Sequence, residues 1–179
     1  MIEAIAARRS VRKYLAQAVP DELIQTVLES ARMAPSGHNS QPWHFIIIKE
    51  QEHKEKLVAA CGNQPWMLSA PVFIVCVADP RTRVAADVPL SVDEQSPEKE
   101  LKLVLRDTAI GVEHLVLEAV AHGLGTCWVA QFTQERIRPL LGVPNDHYVL
   151  SIITLGYPAE TPVLKRRKKL AEIVHYERW

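Results

Sequence analysis

Ala34-Pro35-Ser36-Gly37-His38-Asn39-Ser40-Gln41-Pro42-Trp43-His44-Phe45 divides two stretches of different hydrophobic period and decides how the chain is read. Before it, Leu23, Ile24, Val27, Leu28 and Ala31 recur at helical spacing, so a helix is expected over Asp21 to Met33. Pro20 pre-sets its start and Pro35 forbids its continuation. After it, His44 to Lys49 is dominated by β-branched residues and reads as a strand. The loop between them has two prolines, short amide and hydroxyl side chains and many backbone N–H groups. It suits the edge of a flat polar ligand, and by composition alone it suits a plain turn equally well.

The same reading extends in both directions. A short helix is expected over Ile2 to Ala7 and another over Glu52 to Ala60, closed by Cys61-Gly62-Asn63. Val72 to Ala78 is unbroken apolar sequence, the mark of a strand buried on both faces. Asp79 to Pro97 is Pro-, Asp- and Ser-rich, and a loop of that length is functional or mobile more often than idle. Glu98 to His122 keeps Leu101, Val104, Leu105, Thr108, Val112, Leu115, Val116 and Ala119 on one face, as a central or dimer-buried helix would. Gly123 and Gly125 end it. A strand follows at Thr126 to Ala130, then a helix N-capped by Thr133 and running to about Leu141. The last core strand is Tyr148 to Leu155. Gly156-Tyr157-Pro158 turns the chain into a tail, Ala159 to Trp179, without a clear period but ending in aromatics that need somewhere to dock. Helices and strands mix without strict βαβ alternation. The expected class is α+β, a central sheet flanked by helices, in a single domain over residues 1–179.

Composition narrows the partners. The chain has 179 residues, 47% hydrophobic and 23% charged, with 21 basic and 21 acidic side chains. Zero net charge disfavours nucleic acid, even against the run Lys165-Arg166-Arg167-Lys168-Lys169. No apolar run is long enough to span a bilayer, and Met1 to Arg8 does not read as a signal peptide, so a cytoplasmic protein without a membrane partner is expected. Cys61, Cys76 and Cys127 show neither Cys-x-x-Cys nor Cys/His metal spacing; reduced buried thiols and no metal are expected. His38 and His44 have no carboxylate or Cys nearby in sequence and read as ordinary hydrogen-bonded histidines.

Three further segments carry chemistry. Arg8-Arg9-Ser10-Val11-Arg12 is either a solvated basic turn or an anion grip, since a guanidinium holds phosphate in a bidentate fork. Gly123-Leu124-Gly125-Thr126-Cys127-Trp128-Val129-Ala130-Gln131-Phe132 lacks the Gly-x-Gly-x-x-Gly pattern of a Rossmann site. The basic run at 165–169 is the third.

Taken as ordered strings, the Arg-Arg-Ser-x-Arg segment, the Pro-Ser-Gly loop ending in Gln41-Pro42-Trp43, the Gly-Leu-Gly-Thr-Cys-Trp strand and the basic run after Gly-Tyr-Pro resemble the FMN-dependent nitroreductase family over the whole chain. The resemblance implies a central mixed or antiparallel sheet in an intertwined homodimer, with residues 159–179 embracing the partner. It implies FMN as cofactor and NAD(P)H as co-substrate. A small-molecule acceptor such as a nitroaromatic or quinone would be reduced by a ping-pong mechanism. Arg8, Arg9 and Ser10 would hold the phosphate and ribityl end, and Arg12 would stabilise negative charge at the flavin N1/C2 edge. Pro35, Ser36, Gly37, Asn39 and Gln41 would complete the site held mainly by the other subunit. Cys127, Trp128, Val129 and Ala130 would present backbone to the N5/O4 edge, and Lys165 and Arg167 would grip phosphate. Relatives often carry a small residue where Gln131 stands, and a proline near Arg166 and Lys169. Trp66 and the 79–97 loop would border the pocket. The same scaffold also admits a reductive dehalogenase-like or flavin-destructase-like enzyme, or a non-enzymatic flavin-binding redox module.

Overall fold

Alternation of inward residues builds the sheet and periodicity builds the helices in the computed structural model, which describes residues 1–179. The order is α1 (Glu3–Ala7), α2 (Asp21–Arg32), β1 (Trp43–Ile48), α3 (Gln51–Ala60), β2 (Val72–Ala78), α4 (Lys99–Ala121), β3 (Gly125–Val129), α5 (Gln134–Leu141) and β4 (Tyr148–Gly156). The strands form one sheet, β1-β2-β4-β3, with every neighbouring pair antiparallel. The sheet within this chain is therefore antiparallel rather than mixed.

β2 lies inside the sheet and is buried at every residue. Phe73, Val75 and Val77 pack with Leu57 and Val58 of α3 and Ile137 of α5. Val72, Ile74 and Cys76 pack on the other face with Ile24 and Val27 of α2 and Val112 and Leu115 of α4. Helices on both faces, not parallel pairing, are the reason that this strand has no polar side. No helix is long and apolar enough to cross a membrane.

Three local details depart from the sequence reading. Gly125 opens β3 rather than ending α4; only Gly123, at φ 73°, does that. The Thr133 hydroxyl makes no capping bond to α5. Instead Glu94 Oε1 accepts the Gln134 N–H at 2.6 Å, and the buried Gln134 amide exchanges two hydrogen bonds with the Val149 backbone. A carboxylate suits the positive end of a helix better than a hydroxyl does. The third detail is the 79–97 loop. Besides Glu94, it is fastened by Arg81 to Asp146 (2.9 Å), by Val92 O to Arg138 (2.8 Å) and by Arg83 to Asp107 of α4 (3.0 Å). It is a packed strut.

Beyond Pro162 every residue of the tail is exposed. Val163, Tyr176 and Trp179 are 87%, 85% and 100% exposed, and His175 stacks on Trp179 with centroids 4.4 Å apart. Apolar side chains on an extended arm with nothing beneath them imply a surface that this chain alone does not provide.

Candidate functional site

The basic N-terminal segment is laid along the outer edge of β3. Val11 N–H donates to Thr126 O at 2.9 Å, and Ser10 bridges to Thr126 in parallel sense. A Cβ on Gly125 would stand 2.8 Å from the Val11 side chain, so the close approach requires glycine there. The two glycines of Gly-Leu-Gly thus have separate duties. Gly123 turns the chain out of α4 in a left-handed conformation, and Gly125 lets the arginine segment seat on the strand.

The chain end returns to the same place. Glu160 Oε1 accepts the backbone N–H of Arg12 at 2.6 Å and of Lys13 at 3.1 Å, and Ala159 N–H donates to Lys13 O. This clasp brings the start of the tail against the arginines. Arg8, Arg9, Ser10, Arg12, Lys165 and Arg167 line one cavity of about 130 Å³ together with Pro162 and Val163. Residues more than 150 positions apart in sequence thus meet in one cavity. None of the five cations has a carboxylate within ion-pair distance; the nearby Glu160 is committed to backbone amides. Clustered like charges repel, so the cradle favours an anion with several acceptor oxygens.

Arg12 lies at one side of the cradle with its guanidinium 5.6 Å from the Trp66 ring centroid, which places Trp66 beside the site. On β3, Cys127 and Val129 are buried while Trp128 is exposed, and Ala130, just beyond the strand, is exposed too. The Cys127 thiol is pushed up, chiefly by burial and against the pull of Arg12. Thr126 turns its carbonyl to Val11, and strand alternation aims the Trp128 backbone at the same open edge beyond that cover. Gln131 does not reach the cradle: its amide rests against Gly62, 2.9 Å from where a Cβ would be.

The Pro35–Gln41 loop stands apart from the cradle and lines none of it. Its backbone is costly. His38, Asn39 and Gln41 all hold φ near +50° without being glycine, at 55°, 54° and 47°. The loop is fixed from beneath by two residues that the sequence did not mark. Asp107 Oδ2 accepts the Gly37 N–H at 2.9 Å, and Arg83 donates to Gly37 O at 2.9 Å and to Asp107 Oδ2 at 3.0 Å. Ser36 Oγ accepts the Gln41 N–H at 2.9 Å, which leaves Pro35, Ser36, Gly37, Asn39 and Gln41 as a rigid shelf at the surface.

His44, read as lacking a partner, has one in space: Asp79 Oδ2 lies 3.6 Å from its Nε2, and His147 joins the same carboxylate. His38 is exposed and meets no carboxylate.

The chain is similar to known proteins along its whole length. A protein of Methanothermobacter thermautotrophicus, provisionally named NADH dehydrogenase/NAD(P)H nitroreductase, is 32% identical over 183 residues, covering 100% of this chain and 87% of that protein. The structure of B. megaterium NfrA2 superposes with a TM-score of 0.87 at 31% identity, over 99% of this chain and 74% of the other. The NADPH:FMN oxidoreductase of Vibrio harveyi, solved as a complex with NAD+, superposes with a TM-score of 0.88 at 27% identity, over 99% and 77%. The sequence profile described as the nitroreductase family matches residues 5–157, and with these relatives along the full length the chain belongs to the nitroreductase family.

Proposed function

We propose that this protein is an FMN-dependent oxidoreductase that draws reducing equivalents from NAD(P)H and delivers them to a nitroaromatic, quinone or similar acceptor, working as a homodimer. The observation that carries the reading is the cradle of unpaired cations assembled from Arg8, Arg9, Arg12, Lys165 and Arg167. It matches the terminal phosphate of a flavin mononucleotide in charge and in supply of donors. When bound, FMN supplies reversible two-electron chemistry between nicotinamide and acceptor.

The chain's own residues supply position and electrostatics. Arg8, Arg9, Ser10, Lys165 and Arg167 would hold the phosphate end. Arg12, kept in place by the Trp66 ring, would set a positive charge where electron density gathers on reduction. The exposed backbone edge at Trp128 and Ala130 would donate to the polar rim of the ring system. The Pro35–Gln41 shelf lies outside this chain's cradle, which supports its service to the site of a second copy. The exposed apolar tail supports the same dimer.

A lid-defined specialised enzyme fits less well, because the 79–97 loop is fastened at four points. The test is cofactor content. Purified protein should carry about one FMN per chain. Arg8→Ala and Arg167→Ala should each lose about 1.5–3 kcal/mol of FMN binding, tenfold or more in affinity, while Arg136→Ala on α5 should lose none. Colourless protein that ignores added FMN, or equal FMN content in all three variants, would overturn the assignment.

A further inference from the structure

β1, β2 and β4 run side by side, with Trp43 opposite Ala78 and Ala78 opposite Tyr148. The residues at that end of the three strands therefore converge. They are His44, second in β1; Asp79, just after β2; and His147, just before β4. His44 Nε2 lies 3.6 Å from Asp79 Oδ2, and His147 Nε2 lies 3.4 Å from Asp79 Oδ1. One ligand atom from each residue can be chosen so that all lie within 4.8 Å of one another. Ligand atoms around a tetrahedral zinc with bonds of 2.0–2.1 Å stand about 3.3–3.4 Å apart. Each imidazole already stands near that distance from one oxygen of Asp79, His44 from Oδ2 and His147 from Oδ1.

Neighbouring groups orient these side chains. His147 turns its other nitrogen, Nδ1, to Asp146 Oδ1 at 2.8 Å. Arg81 Nε donates to the second oxygen of Asp146 at 2.9 Å. A carboxylate at Nδ1, with Nε2 turned toward Asp79, is the outer-shell arrangement that orients metal-binding imidazoles. Asp79 is oriented in turn, since its Oδ1 accepts the Arg81 backbone N–H at 2.7 Å. A cavity of about 220 Å³ opens beside His44 and His147, with room for a further ligand. It shares no lining residue with the basic cradle.

We propose that His44, Asp79 and His147 form a two-histidine, one-carboxylate site for a divalent transition-metal ion of the zinc class, with its remaining position open to that cavity. Imidazole and carboxylate donors suit zinc, cobalt, nickel and copper, and the absence of thiolate and of an oxygen-rich shell disfavours copper(I) and calcium. The bound ion would tie together β1, the root of the 79–97 strut and the entry to β4.

The test is calorimetric titration of the chelator-washed full-length protein with zinc chloride in a non-coordinating buffer. One ion per chain is expected, at micromolar or tighter affinity. His44→Ala, at an exposed position that leaves the core intact, should abolish saturable binding. Asp146→Asn should weaken it by about 10–100-fold, as loss of an outer-shell partner does. His175→Ala, in the tail, should change nothing. Copper(II) loaded at one equivalent should show coupling to two imidazole nitrogens by electron paramagnetic resonance, a signature lost in His44→Ala. No saturable binding to the folded protein, binding that survives His44→Ala, or equal loss in His175→Ala would each overturn the proposal and leave an ordinary histidine–aspartate hydrogen-bond cluster.

Discussion

Asp107→Ala removes the buried carboxylate on which the Pro35 shelf, the 79–97 strut and α4 converge. The Asp107 side chain is 3% exposed and that of Arg83 11%, so the pair is shielded from solvent. Removing one partner of a buried pair strands the other charge, at a cost of about 3–5 kcal/mol. Arg83 would keep the Gly37 carbonyl at 2.9 Å and Glu100 at 3.7 Å, but its Nε is already buried without a partner. The lower end, about 3 kcal/mol, is therefore the expected loss. For a chain of this length each kcal/mol moves the midpoint by about 2–4 °C, giving a fall of about 6–12 °C by circular dichroism. FMN content per chain should drop in the same samples, because the Gly37 N–H loses its anchor and the shelf its shape. The double variant Arg83→Met/Asp107→Leu should recover most of the midpoint, since two apolar side chains strand no charge. A midpoint shift in Asp107→Ala below about 2 °C, or a double variant as unstable as the single one, would refute this account of the shelf.

In the proposed dimer, deleting residues 159–179 should give smaller or aggregated species and cost FMN, read by size-exclusion chromatography with flavin absorbance; a truncated form that stayed dimeric, soluble and yellow would contradict the tail's double role. Steady-state rates with NAD(P)H and a quinone should give parallel double-reciprocal lines, and Arg12→Ala should slow flavin reduction by up to about 2.7–4 kcal/mol of barrier, less if the site is wet; intersecting lines would mean that donor and acceptor bind together. Burial pushes the Cys61 thiol up to about 11 and the Cys76 thiol up to about 12, so neither should react with a disulfide probe at pH 8 until the protein unfolds. In the unfolded chain both ionise near the ordinary 9.0, and the folded chain keeps their protons, so stability should fall as pH rises from about 9 toward 12; denaturation midpoints that stayed flat over that window would argue against buried thiols.

The elements were legible because their signals are local. Pro20 and Pro35 bracket α2, and the unbroken apolar run at 72–78 reads as a strand buried on both faces, as β2 is. The basic cradle was legible only through the order of motifs that two basic strings flank; spacing alone could not say that Arg8 and Arg167 meet. The shelf's anchor was not legible. Asp107 is 70 residues from Gly37 and 24 from Arg83, and it sits among apolar neighbours on the inward face of α4. A charged residue at a core-facing position was the available signal, and it pointed to a partner without naming it. The histidine–aspartate cluster left no trace at all, because its members share only the ends of three strands whose order in the sheet is set by tertiary packing.

That strand order also bears on how the chain is made. β2 can pair with β1 as soon as it leaves the ribosome, but its other neighbour, β4, begins some 70 residues later. At about 5–20 residues per second, an entirely apolar strand waits roughly 4–14 s with one edge open. α4 is synthesised within that interval and supplies Val112 and Leu115 to one face of β2, covering part of its apolar surface while the edge still waits for β4. Damage to α4 would then show first as lost yield during synthesis, even where the finished protein stayed stable.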